Sequence, residues 1–110
     1  MLATPAAAQE PAAAYCDETL LVERFETHVD PPPRGIVTYS AVLRNALDVE
    51  RSFVLVVTAT LFQRPTAAPR SIPASGRLTV PLGYQAWQPG VAALRGDRLA
   101  QVTRISCLPG

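Results

Sequence analysis

SFVLVVTATLFQ, residues 52–63, decides how this chain is read. In an extended backbone Phe53, Leu55, Val57, Ala59 and Leu61 share one face, and Val54, Val56, Thr58, Thr60 and Phe62 share the other. A run that is largely apolar on both faces, without Gly or Pro, predicts a central strand or one whose second face is covered. Just upstream, IVTYSAVLRNAL (36–47) alternates with period two, setting Val37, Tyr39, Ala41 and Leu43 against Thr38, Ser40 and Arg44. Residues 45–50 are polar and suit a connection, so the two strands are expected to pair as an antiparallel hairpin.

Downstream, RPTAAPRSIPASG (64–76) carries Pro65, Pro69, Pro73 and Gly76. Missing donors and a fixed φ exclude a helix or an interior strand, and predict a long loop crossing between two sheets. RLTVPLG (77–83) then sets Leu78, Val80 and Leu82 against Arg77, Thr79 and Pro81. Pro81 cannot donate to a ladder, so this strand is expected at a sheet edge with that position facing solvent. LAQVTRISC (99–107) reads as the last strand, following a turn at Gly96-Asp97, although its alternation is imperfect. The first element, within CDETLLVERFETHVD (16–30), has two readings. Leu21, Phe25 and Val29 recur every four residues behind a capping Asp17, as in a helix. The same residues also form a strand ending at Pro31-Pro32-Pro33, which we favour because short strands follow and Cys16 must reach the final one.

Cys16 and Cys107 are the only cysteines and sit at the two ends of the expected domain, 15–108. A disulfide between them would close a loop of about 90 residues, a constraint of roughly 4.6 kcal/mol on the unfolded chain. Such bridges persist in oxidising compartments, which predicts a periplasmic or secreted protein. Residues 1–14 are expected outside the packed domain. Ala6-Ala7-Ala8 before Gln9 resembles the end of a signal peptide whose upstream part is missing, with a disordered Ala/Pro-rich leader as the alternative.

The composition bounds function mainly by exclusion. The chain has 110 residues, 48% hydrophobic and 17% charged, with a net charge of +1, so a single folded domain is expected. No basic cluster is present to meet nucleic acid, and no apolar run is long enough for a spanning helix. All ten cations are arginine, a usage we attribute to a GC-rich bacterial genome rather than to anion recognition. Together, the short strands, Pro/Gly-rich connections and terminal disulfide predict an all-β fold, a small antiparallel β-sandwich. In general shape it resembles immunoglobulin-like domains. The Cys-Trp-Cys spacing of true immunoglobulin domains is absent, since Trp87 lies far from Cys16, so the resemblance carries no functional residues.

Titratable groups are too sparse to suggest an enzyme. His28, the only histidine, would share a strand face with Glu26 and Asp30, a spacing that could in principle hold a metal but arises easily by chance, and we read it as a solvated charged face. Two cysteines and one histidine do not close a tetrahedral metal shell. No serine stands in a nucleophile elbow and no Gly-rich phosphate loop occurs, so no catalytic residue, metal or cofactor is expected. Arg95-Gly96-Asp97 spells an integrin-ligand tripeptide and reads here as a turn.

What remains is PLGYQAWQPG, residues 81–90. An unbroken alternation would put Tyr84 and Ala86 inward with Leu82, and would turn Trp87 outward with Gln85 and Pro81. A bulge at Gly83 would reverse that assignment. The candidate partner contacts are therefore Trp87, Gln85 and Pro81, with Arg70 and Ile72 on the proline-rich loop. The function expected is a non-catalytic exported module that binds another protein as an accessory or structural subunit of a bacterial envelope assembly. A carbohydrate- or small-ligand-binding domain using Trp87, and an inhibitor of a secreted hydrolase using Arg70 and Ile72, are the alternatives.

Overall fold

The computed structural model describes residues 11–58 and 68–109. The expected leader, apart from its last four residues, and the outer part of the 52–63 run therefore lie outside the described residues. The elements are β1 (Ala13–Tyr15), β2 (Leu20–Asp30), β3 (Ile36–Asn45), β4 (Arg51–Val57), β5 (Arg70–Ile72), β6 (Arg77–Ala86), α1 (Asp97–Val102) and β7 (Thr103–Cys107). They make two antiparallel sheets, one ordered β1-β2-β3-β6 and the other β5-β4-β7. One buried cluster draws on both: Leu20, Val22, Tyr39, Leu43, Val80 and Leu82 from the first sheet, Phe53, Val57 and Ile72 from the second, and Leu99 from α1.

The first element is a strand, and β4 is central in its sheet, flanked by β5 and β7. β6 is an edge strand with Pro81 exposed, and 70–72 forms no more than a short edge strand. Two expectations need correction. The hairpin between 36–47 and 52–63 does not form, because β3 and β4 belong to different sheets. Residues 99–102 are helical rather than extended. Asp97 stands in the first turn, where a negative charge meets the helix N-terminus, and Arg98, Leu99, Ala100 and Gln101 are good helix formers. Packing decides the matter: the turn delivers Leu99 fully into the core, and Thr103 Oγ1 donates to Leu99 O at 2.7 Å.

Asn45 explains why the chain leaves its sheet instead of turning back. Its side chain is fully buried at the end of β3. Nδ2 donates to the carbonyls of Val49 (2.7 Å), Ile72 (3.3 Å) and Pro73 (3.2 Å), while Oδ1 accepts from Leu47 N–H at 3.0 Å. Its backbone N–H donates to Gly76 O at 2.9 Å. The polar connection is thus folded onto its own Asn and fastened to the second sheet, and the return crossing at 73–76 runs beside it. Ser75 N–H donates to Leu47 O at 2.8 Å, stitching the two crossings together. Gly76 fits here because a Cβ would lie 2.7 Å from Pro73 Cγ.

The expected disulfide is present, with a Cα–Cα separation of 6.1 Å across 91 positions. It joins the β1–β2 turn of one sheet to the end of β7 in the other. Cys16, Asp17 and Glu18 all have left-handed backbones, with φ of 57°, 56° and 66°. Each such residue costs about 1 kcal/mol or more and persists only where its surroundings impose it. Here the covalent bridge holds the first of them, and Thr19 donates to Cys16 O through both its N–H (3.2 Å) and its Oγ1 (2.6 Å). The ladder begins with Ala12 N–H on Val22 O at 2.9 Å, ahead of residue 15, because β1 needs the edge of β2 to satisfy its backbone.

Replacing Asn45 tests the crossing. Asn45→Ala is expected to lower stability by about 2 kcal/mol, since it leaves buried carbonyls without donors. Asn45→Asp, nearly isosteric but without the donor, is expected to lower it by more. Urea unfolding of the three proteins decides this, and a neutral Asp variant would show that the amide does not hold the crossing.

Candidate functional site

The arrangement of β6 turns on one extra residue. Pro81 pairs with Ser40 and Gly83 with Tyr39, leaving Leu82 without a partner between them. Leu82 and Gly83 are consequently buried side by side, and the inward register changes parity. Gly83 has φ 138°, a conformation that side chains with a Cβ rarely adopt.

Beyond the bulge Gly83, Gln85 and Trp87 lie on the same side as their partners Tyr39 and Val37, facing the core. Tyr84 and Ala86 face out. This corrects the unbroken-alternation reading: Trp87 is half-buried and packs on the core, Gln85 is buried, and Tyr84 is 50% exposed. Trp87 is pinned further by its backbone N–H, which donates to Gly35 O at 2.8 Å.

After Trp87 the chain turns at Pro89-Gly90, with Val91 N–H on Gln88 O at 3.2 Å. It is then drawn under the sheet at Leu94, whose N–H donates to the buried Tyr39 hydroxyl (3.1 Å) and whose carbonyl accepts from Thr27 Oγ1 (2.6 Å). The turn and the sheet end enclose a groove of about 290 Å³ lined by Gly35, Ile36, Tyr84, Gln85, Ala86, Gln88 and Val91. Ile36 (39% exposed), Tyr84 and Val91 (46%) are its apolar walls. Gln85 and Gln88 complete the lining, and no lining residue is charged.

Pro81 is exposed on the same edge, whereas Arg70 and Ile72 lie on β5 in the other sheet. Arg70 is exposed. Ile72 is fully buried and is therefore not presented at the surface; its side chain shares the face of Phe53 and fills the core. Of the expected contacts, only Gln85 lines the groove. Ile36, Ala86 and Val91 carried no signal of their own in the sequence. The clue to Tyr84 was Gly83, a glycine inside a strand two residues after a proline.

Elsewhere the surface is a network of opposite charges. Arg77 forms a two-pronged pair with Glu23, the second contact, Nη2 to Oε2, being 3.3 Å, and Arg44 approaches the same carboxylate at 3.7 Å. The Arg77 hydrogen bond holds Glu23 below its ordinary value, against a smaller opposing effect of burial. Glu26 and His28 are exposed on β2, as expected of a solvated face; Glu26 pairs with Arg24 at 3.0 Å and Asp30 lies 3.8 Å from Arg34. Among the described residues, no three His, Cys, Asp or Glu are gathered as a metal site would need. Arg95 and Asp97 are exposed at the start of α1, with Gly96 at its N-cap. No helix among the described residues is long and apolar enough to cross a membrane.

Comparison of the chain with models of protein families, with curated proteins and with solved structures returned no match.

The two aromatics should separate cleanly by substitution. Trp87→Ala is expected to lower stability by about 2 kcal/mol, while Tyr84→Ala stays within about 1 kcal/mol of the parent in chemical denaturation. Equal losses would contradict the parity change. For Glu23 the folded pKa is depressed, so its pairing stabilises the fold above the ordinary glutamate value. That contribution is lost as pH falls through the depressed one. An acid titration should therefore cost Glu23→Gln less stability over this window than it costs the parent.

Proposed function

We propose that this chain is an exported, non-catalytic module that binds another protein, as an accessory or structural subunit of a bacterial envelope assembly. Its two antiparallel sheets are read as the layers of a small immunoglobulin-like β-sandwich. One observation carries the reading. Of the five large hydrophobic residues exposed among the described residues, three (Ile36, Tyr84 and Val91) line a single groove. Isolated apolar residues at a surface need no explanation, but clustered ones mark interaction sites. The disulfide in so small a domain is compatible with an oxidising compartment, which supports export.

A second reading, binding of a carbohydrate or small ligand, is favoured by the exposed Tyr84 ring at an uncharged groove. It ranks below the first because Trp87, the larger ring, is packed on the core, and because the groove lies at the small end of ligand pockets, roughly 300–1,000 Å³. The inhibitor reading rests on Arg70 or Ile72 of the proline-rich loop; Arg70 is exposed, but the burial of Ile72 leaves it less support than the first two.

Capture from native envelope fractions tests the first reading. The wild-type chain is expected to retain a stoichiometric protein that Tyr84→Asp retains at least tenfold less. Absence of any stoichiometric partner, or equal retention by both, would overturn it. A shift of Trp87 fluorescence on titration with glycans would favour the second reading instead.

A further inference from the structure

Resting on the protein-binding reading, we propose that the partner attaches by adding an extended segment of its own to the free edge of β6. Its backbone would pair with Tyr84 and Ala86, and one uncharged apolar side chain would sit in the groove between Ile36, Tyr84 and Val91.

The directions of the backbone groups on β6 follow from two hydrogen bonds. Trp87 N–H donates to Gly35 O at 2.8 Å, so 87 and 35 form a hydrogen-bonded antiparallel pair. Alternation then assigns the same kind of pair to Gln85–Val37 and Gly83–Tyr39. The residues between them, Tyr84 and Ala86, direct both N–H and C=O away from β3, toward the edge at which no described strand is paired. At the other end Asn45 N–H donates to Gly76 O at 2.9 Å, which makes Leu43–Leu78 and Ala41–Val80 the bonded pairs. There Arg77, Thr79 and Pro81 face the free edge.

The two halves of this edge are built differently. In the first half Pro81 stands where an added strand would need a donor, and prolines so placed discourage pairing. The bulge at Leu82 ends that half. In the second half Tyr84 and Ala86 supply two donors and two acceptors, spaced to match alternate residues of an incoming strand, and both residues are exposed. The groove lies beside this half alone.

The lining specifies the incoming side chain. It has apolar walls and no charged residue, so an ionised side chain would lose its hydration without gaining an opposite charge. About 290 Å³ has room for one large aliphatic or aromatic side chain. Main-chain pairing gives affinity in such additions and the side-chain pocket gives selectivity. β1 and β5, edge strands of only three residues each, provide a shorter template.

A random dodecapeptide display library, selected on the full disulfide-bonded chain, probes the edge directly. Enriched peptides are expected to be uncharged, with β-branched or aromatic residues at alternate positions. A bound peptide should slow amide hydrogen exchange at Tyr84 and Ala86 at least tenfold. Ala86→Pro removes one edge donor while leaving the β3 ladder intact, and should weaken peptide binding at least tenfold. Methylating the peptide's backbone nitrogens should do the same, whatever the stability of that variant. No enrichment, enrichment of charged peptides, or unchanged exchange at both residues overturns the proposal. For the protein captured from the envelope, retention by Ala86→Pro but loss by Tyr84→Ala overturns strand addition and leaves partner binding at the groove standing. Retention by both overturns the groove as the contact.

Discussion

The buried amide of Asn45 is the interaction on which the arrangement of the two sheets depends. It sits where β2, β3 and the start of β6 meet, and its Nδ2 reaches carbonyls on both crossings between the sheets. A crossing buries backbone carbonyls that no ladder can satisfy, and each unsatisfied group would cost about 1–3 kcal/mol. Asn carries an acceptor and a two-hydrogen donor on one short side chain, so it closes its own turn through Leu47 and serves the neighbouring carbonyls together. Ser and Thr lack the second donor hydrogen, and a carboxylate has none.

Strand identity was well marked in the sequence and strand register was not. The stretches 36–45 and 77–86 announce themselves by period-two alternation, because one face of each packs on the core. Register fails to show because a bulge adds one residue without changing composition. β2 has one at Glu23, unpaired between Val22 and Arg24, and its inward residues therefore run Leu20, Val22, Phe25, Thr27 and Val29. The Leu21, Phe25, Val29 spacing suits a helix and a regular strand alike, and the bulge puts Leu21 on the face opposite the other two. The second bulge, at Leu82, exchanged the places of Tyr84 and Trp87. The missed hairpin has a similar origin: a polar connection reads alike whether the chain turns back or crosses over, and only the buried partners of Asn45 distinguish the two.

Of the site, Pro81 was legible because a missing N–H has one reading in a strand. Ile72 was not, because a proline-rich setting suggests exposure, while its side chain lies on the inner face of β5 opposite Arg51. The groove itself was invisible because Gly35 and Ile36, from the start of β3, meet Gln88 and Val91 from a turn over fifty residues away. A single inserted residue does two things here. It sends Trp87 inward, where it anchors the end of β6, and by the same parity it stands Tyr84 out as the wall of the groove.

The bridge between Cys16 and Cys107 has a mechanical consequence. It joins the turn just after β1 to the end of the last strand. Tension applied on either side can peel only the short β1 from β2 before it passes from one sulfur to the other, bypassing the remaining ladders of both sheets. Against such a pull β2 to β7 form a covalently closed unit, unable to lengthen by strand unzipping and with its grooved edge under no load.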